Sequence, residues 1–136
     1  MRQEFHTLKI NTNGQKLYEF TKQTLEWIEE LNLKNGILNL SILHTSASII
    51  VQENADPDVQ KDLLNYFDKL VPMKNELYIH TSEGKDDMPA HIKSSLTNNQ
   101  ISLSIQNSCL LLGTWQGLYL FEHRLEKHTR KIIHHY

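Results

Sequence analysis

LHTSASIIVQENADPDVQKD, residues 43–62, contains the end of one strand, the whole of a second and the capped start of a helix. Upstream of it, Leu38, Leu40 and Ile42 alternate along Ile37 to His44, so they share one face of a strand, and His44 continues that face. The second strand repeats the pattern, with Ala47, Ile49 and Val51 followed in register by Glu53. Two polar side chains thus stand where buried faces should continue, and such groups need partners, ligands or water. Asp56 reads as the N-cap of a helix with Pro57 in its first turn and Asp58 at the positive end of its dipole. If Thr45 and Ser46 make a two-residue hairpin, His44 lies about 20 Å from Glu53 at about 3.3 Å per residue. The two then share a site only if the connection is not a tight hairpin or if two subunits build the site together.

Outward from this stretch, Gln3 to Thr12 reads as a strand and Asn11 to Gly14 as a turn. Leu17, Phe20, Thr24, Trp27, Ile28 and Leu31 recur at helical spacing and form a core stripe, opposite Lys22, Glu26, Glu29 and Glu30. The second helix runs from about Pro57 to Leu70, with Val59, Leu63, Tyr66 and Leu70 on its inner face, and stops before Pro72. Leu77 to His80 is a short strand candidate, and Thr81 to Pro89 is the longest polar connection. Glu83, Asp86 and Asp87, flanked by His80 and His91, suit a divalent cation or equally a solvated loop, since no short ligand signature fixes the geometry. Pro89 can start a short helix carrying His91, Ser94 and Ser95.

Ile101, Leu103 and Ile105 alternate with serines, and the apolar run from Cys109 is broken by Gly113-Thr114-Trp115-Gln116-Gly117, a bulge or a ligand contact. Gln116 is expected to aim its amide into the same pocket as His44, with Trp115 beneath it. Leu118, Leu120, Glu122 and Arg124 share one face of the next strand, where charge again extends an apolar surface. This recurrence points to strand ends converging on a polar pocket. Lys127 to Tyr136 forms the last strand, and His6, His128, His134 and His135 sit in patterns of solvated strand faces.

The chain has 136 residues, is 39% hydrophobic and reads as one domain, residues 1–136. A formal charge of −2 lacks the basic excess of a nucleic-acid binder. Cys109 alone permits no intrachain disulfide, and neither a signal peptide nor an apolar run of about 18 residues is present, so a cytoplasmic, membrane-free protein is expected.

His44-Thr45-Ser46-Ala47-Ser48, Glu53 to Pro57, Glu83-Gly84 with Asp86 to Ser95, and Gly113 to Gly117 with Glu122-His123-Arg124 together resemble the YjbQ family nearly end to end. Thr81 departs from the pattern, in which an acidic residue follows the histidine. The resemblance implies an α+β fold, a seven-stranded β-sandwich with two to three helices, assembling as a homotrimer. It also implies a weak, secondary thiamine-phosphate synthase activity, joining a thiazole phosphate to a pyrimidine methyl diphosphate with loss of pyrophosphate. His44, His91 and Glu122 are then the catalytic candidates. Thr45, Ser46, Glu53, Asn54, Lys93, Thr114, Gln116 and Arg124 are the candidates for contacting a phosphorylated small molecule. Asp86, Asp87 or Glu122 would hold Mg²⁺, with His44 and His91 as ligands or as acid and base. Two alternatives stand beside this. One is a metal-dependent hydrolase in which His44, His91 and a carboxylate hold Zn²⁺. The other is a trimer that binds a small ligand and keeps only a side reaction.

Overall fold

The structure, a computed structural model, describes all residues 1–136 as an α+β fold of eight strands and three α-helices. The strands are β1 (Phe5–Asn13), β2 (Lys16–Glu19), β3 (Gly36–Ile42), β4 (Ala47–Glu53), β5 (Gln100–Gln106), β6 (Cys109–Leu110), β7 (Gln116–Glu122) and β8 (Lys127–His135). The helices are α1 (Thr21–Glu30), α2 (Pro57–Leu70) and α3 (Asp87–Leu96). One sheet has the order β1-β8-β3-β5-β6, the other β2-β7-β4, and every pairing is antiparallel. No helix is long and apolar enough to cross a membrane.

The alternation read from the sequence builds the space between the sheets. Leu38, Leu40, Ile42 and Ile132 from the larger sheet meet Ala47, Ile49, Leu118 and Leu120 from the smaller one in a single apolar cluster closed by Phe20, Trp27 and Ile28. Fully burying such an aliphatic side chain stabilises by about 1.5–3 kcal/mol, so a polar residue in this register shifts the fold. Strand β7 is buried on both faces: Tyr119 and Phe121 point away from the main core into a second cluster covered by Leu63, Leu64 and Phe67 of α2. That is why Leu118 to Phe121 reads as continuous apolar sequence rather than alternation.

Strands β3 and β4 do not form a hairpin. Strand β3 pairs with β5 and β8, whereas β4 pairs with β7, so residues 43–46 carry the chain from one sheet to the other. A chain that changes layer leaves the pairing register between His44 and Glu53 undefined, which removes the hairpin premise. Their separation persists along β4 itself, because Ala47 to Glu53 spans about 20 Å at about 3.3 Å per residue.

The expected seven strands are eight. Leu17 falls three residues before Phe20 and so fits a helical period, but it lies in β2, opposite Phe121 of β7. The Leu77–His80 strand is absent: Asn75–Leu77 is a turn of 3₁₀-helix and the chain beyond it pairs with nothing. Asp56 caps α2 through Oδ1, which accepts from the Asp58 N–H at 2.9 Å, and the helix ends before Pro72. Its packing face is rotated from the expected one. Leu63, Leu64 and Phe67 pack inward, while Tyr66 and Leu70 are exposed. His134 is fully buried rather than solvated, with Nε2 at 2.8 Å from Thr24 Oγ1 and its ring edge-on to Trp27.

Candidate metal centre at the start of the third helix

Asp86 and Asp87 are buried where α3 begins, and the reason lies in the turn after β7. From there Arg124 reaches across and uses three of its nitrogens. Nε donates to Asp86 Oδ2 at 2.9 Å, Nη1 to Asp87 Oδ1 at 2.6 Å, and Nη2 to the Glu83 carbonyl at 3.0 Å. The Leu125 N–H adds a second bond to Asp86 Oδ2 at 2.9 Å. Burial pushes both carboxyls up, but these donors outweigh it for Asp86, and for Asp87 the two neighbouring imidazoles and Arg124 do the same. Both carboxyls are held below the usual carboxylate range, and burial of Arg124 is likewise outweighed, so that its pKa is raised.

With Oδ1 fixed by Arg124, Asp87 presents Oδ2 to two histidines. His80 Nε2 lies 2.7 Å from it and His91 Nε2 lies 3.2 Å from it. Asp87 and His91 share a face of α3 by their i, i+4 spacing, whereas His80 arrives from the polar connection before the helix. One ligand atom from each of the three lies within 4.8 Å of the others. On its other side His91 Nδ1 stands 2.9 Å from the Thr45 carbonyl, which can only accept, so Nδ1 carries the proton. A histidine that donates one ring N–H to a backbone carbonyl and offers the other nitrogen's lone pair is the arrangement that orients metal ligands. Two imidazoles and one carboxylate, partly open to solvent, match the donor set of catalytic sites that keep free positions on the ion.

Other candidate residues take different places. Glu122 is fully buried and its oxygens are engaged: Arg130 Nε and Nη2 donate to Oε2 and Oε1 at 2.7 and 2.5 Å, Thr12 Oγ1 donates at 2.7 Å, and the Arg124 N–H at 3.1 Å. Burial raises its pKa, yet the Arg130 and Thr12 bonds bring it below the usual range. Ser46 serves the same pair, with its hydroxyl and carbonyl accepting from Arg130 Nη2 at 3.0 and 3.3 Å. This is an ion pair that locks β7 to β8, not an open acid. His44 is half-buried and its Nε2 accepts the Lys131 N–H at 2.8 Å, so that nitrogen is unavailable to an ion. Burial, then the Arg130 charge, lower its pKa. Thr45 contributes its carbonyl to His91. Lys93 is buried with Nζ on Asp68 of α2 at 2.5 Å, and its charge is matched there.

Glu53, Asn54, Thr114 and Gln116 gather at the far end of the β4–β7 ladder, where Glu53 opposes Gln116. Gln116 does not point toward His44. Its Oε1 accepts the Gly113 N–H at 2.7 Å and closes the turn, while Trp115 is exposed rather than packed beneath it. The candidates therefore divide into two groups within one chain. Arg130 is the residue that sequence reasoning passed over, and His80 was read only as a flank of the acidic loop, not as a site residue. The missing carboxylate after His80 disguised its role, because its partner Asp87 is supplied from seven residues downstream. Arg130 had a readable signal: it precedes Ile132 and His134 at a period of two on the inner face of β8.

The model of the family described as UPF0047 protein YjbQ-like matches residues 6–136. UPF0047 protein sll1880 of Synechocystis sp. is 46% identical over 134 residues, covering 98% of this chain and 91% of that one. UPF0047 protein YjbQ of Escherichia coli O157:H7 is 38% identical over 128 residues, covering 93% and 92%. Among solved structures, a YjbQ/UPF0047 protein of Clostridium acetobutylicum superposes with a TM-score of 0.82 at 33% identity, covering 96% and 97%. A YbjQ-like protein of unknown function from Sulfolobus solfataricus shares the fold, with a TM-score of 0.85 at 20% identity and coverage of 98% and 97%.

Proposed function

The chain belongs to the UPF0047 YjbQ-like family, and on that premise we propose that it is a metal-dependent hydrolase of a small, phosphorylated molecule. His80, Asp87 and His91 are the ligands. The observation that carries this is the pairing at His91: Nδ1 donates to Thr45, so Nε2 meets Asp87 Oδ2 at 3.2 Å lone pair against lone pair. That contact is repulsive unless a cation, either an added proton or a metal ion, lies between them. Nitrogen donors from two imidazoles favour Zn²⁺ or a similar transition ion over Mg²⁺, which prefers oxygen. Such an ion supplies Lewis acidity toward water and a substrate oxygen.

The chain's own residues do the positioning. Arg124 fixes Asp87 so that one oxygen remains for the ion, and the Thr45 carbonyl sets the plane of the His91 ring. His44, one residue before that carbonyl, has its Nε2 occupied by the Lys131 amide and so carries its proton on Nδ1, a donor for a substrate oxygen. The synthase reading draws less support, because Lys93 and Arg124, the cations that would receive the leaving pyrophosphate, are both neutralised by aspartates. The homotrimer remains part of the proposal. In it, a neighbour's Glu53 and Asn54 would approach the ion-bearing end, and light scattering of the purified chain tests it.

The functional experiment starts from metal-free protein supplied in turn with Zn²⁺, Mn²⁺ and Mg²⁺ and offered a panel of phosphomonoesters. Turnover should follow Zn²⁺ or Mn²⁺ and vanish in His91→Ala. Equal turnover by His91→Ala, or condensation of the two thiamine precursors with Mg²⁺ alone, would overturn the hydrolase.

A further inference from the structure

We infer that the segment from Lys74 to Lys85 is a strap whose closure over the site is governed by the ion, with His80 as its latch. This rests on the metal reading above and goes beyond it, because it assigns His80 a conformational role that His91 lacks. Between Val71 and Asp86, both buried, no residue is buried. Leu77 and Ile79 are exposed and only Tyr78 between them is half-buried, so the strap has no buried apolar anchor on the core. Its backbone bonds are local, Leu77 N–H to Lys74 and Tyr78 N–H to Asn75, and the Tyr78 hydroxyl donates to Pro72 at the strap's own base.

Two ties reach the body of the protein: Glu83 offers its carbonyl to Arg124, and His80 meets Asp87. The second lies in the middle of the strap. An ion pair in which the imidazole is 43% exposed contributes little by itself. His91, in contrast, is built into α3 and anchored to Thr45, so it stays in place whatever the strap does. An ion shared by His80, Asp87 and His91 therefore couples the strap to the body, and linkage makes that coupling reciprocal. The factor by which His80 tightens ion binding equals the factor by which the ion favours the closed strap, on the order of 10-fold. The strap then opens to admit substrate and closes on the loaded site.

The test is the rate of chymotrypsin cleavage after Leu77 and Tyr78, and of trypsin cleavage after Lys85, in the full chain with and without Zn²⁺. Cleavage under these conditions tracks the open population. Zn²⁺ should slow it on the order of 10-fold in the wild type. In His80→Ala, cleavage should be insensitive to Zn²⁺, while chelator competition still detects an ion bound about 10-fold more weakly. His80 is exposed, so this variant folds. Equal protection by Zn²⁺ in His80→Ala and wild type, or bound Zn²⁺ with unchanged cleavage in the wild type, would overturn the latch and leave the metal centre standing. A wild-type chain that takes up no Zn²⁺ would remove both.

Discussion

Replacing His134 with glutamine should flatten the acid side of the stability curve. His134 has no exposed surface, lies against Trp27 and Phe20, and sits 2.8 Å from the Thr24 hydroxyl. Burial, together with the nearby His6, lowers its pKa from 6.5 to about 4. The unfolded chain therefore takes up this proton first as pH falls. The contribution is complete above about pH 6.5 and is lost as pH drops toward about 4. At about 1.4 kcal/mol per pH unit, the whole window is worth about 3 kcal/mol, and a fall from pH 7.5 to 4.5 removes about 2.5 kcal/mol of it. His123, lowered to about 3 by burial and then by Lys93, adds a loss of the same sign. Urea unfolding of wild type and His134→Gln at both pH values reads the difference directly. Whatever the substitution costs at pH 7.5, the drop between the two pH values should shrink by about 2.5 kcal/mol. An unchanged drop would mean that the ring is protonated or hydrated in the native state, and the packing argument would fail.

Arg130→Met should destabilise by about 3–5 kcal/mol, since it strands the buried Glu122 carboxylate, and chemical denaturation with Glu122→Gln alongside should show the double variant recovering part of the loss. Gln116→Ala should cost about 0.5–1.5 kcal/mol of stability through the Gly113 turn and leave ion binding unchanged. Arg124→Gln should weaken Zn²⁺ by about 10- to 100-fold in chelator competition, because it frees Asp87 to rotate away from the histidines.

The two faces of β3 and β4, the capped start of α2 and the half-exposed β5 were legible from period and cap chemistry, because each is decided by residues close together in sequence. The joining of β3 to β4 was not. A short polar connection is compatible with a hairpin or a change of sheet, and β8, more than eighty residues on from His44, decides the matter by pairing with β3. The rotation of α2 follows the same logic, since Phe67 faces inward only because Phe121 of β7 receives it edge-on. At the site, Asp87 read as part of the acidic connection and His91 as part of a helix starting at Pro89; the helix in fact begins at Asp87 and puts the two on one face, while the role of Arg124 as a carboxylate clamp needed the turn after β7. Glu122 extended an apolar face with charge, as did Arg130 on β8 of the other sheet, and the two satisfy one another rather than a ligand.

Anomalous diffraction from crystals of the chain loaded with Zn²⁺ tests the central claim most directly. One strong site per chain is expected, about 2.0–2.2 Å from His80 Nε2, His91 Nε2 and Asp87 Oδ2, with His91 Nδ1 still bonded to the Thr45 carbonyl. An ion bound elsewhere, or none at saturating Zn²⁺ with the two histidines hydrogen-bonded to Asp87 alone, would contradict it.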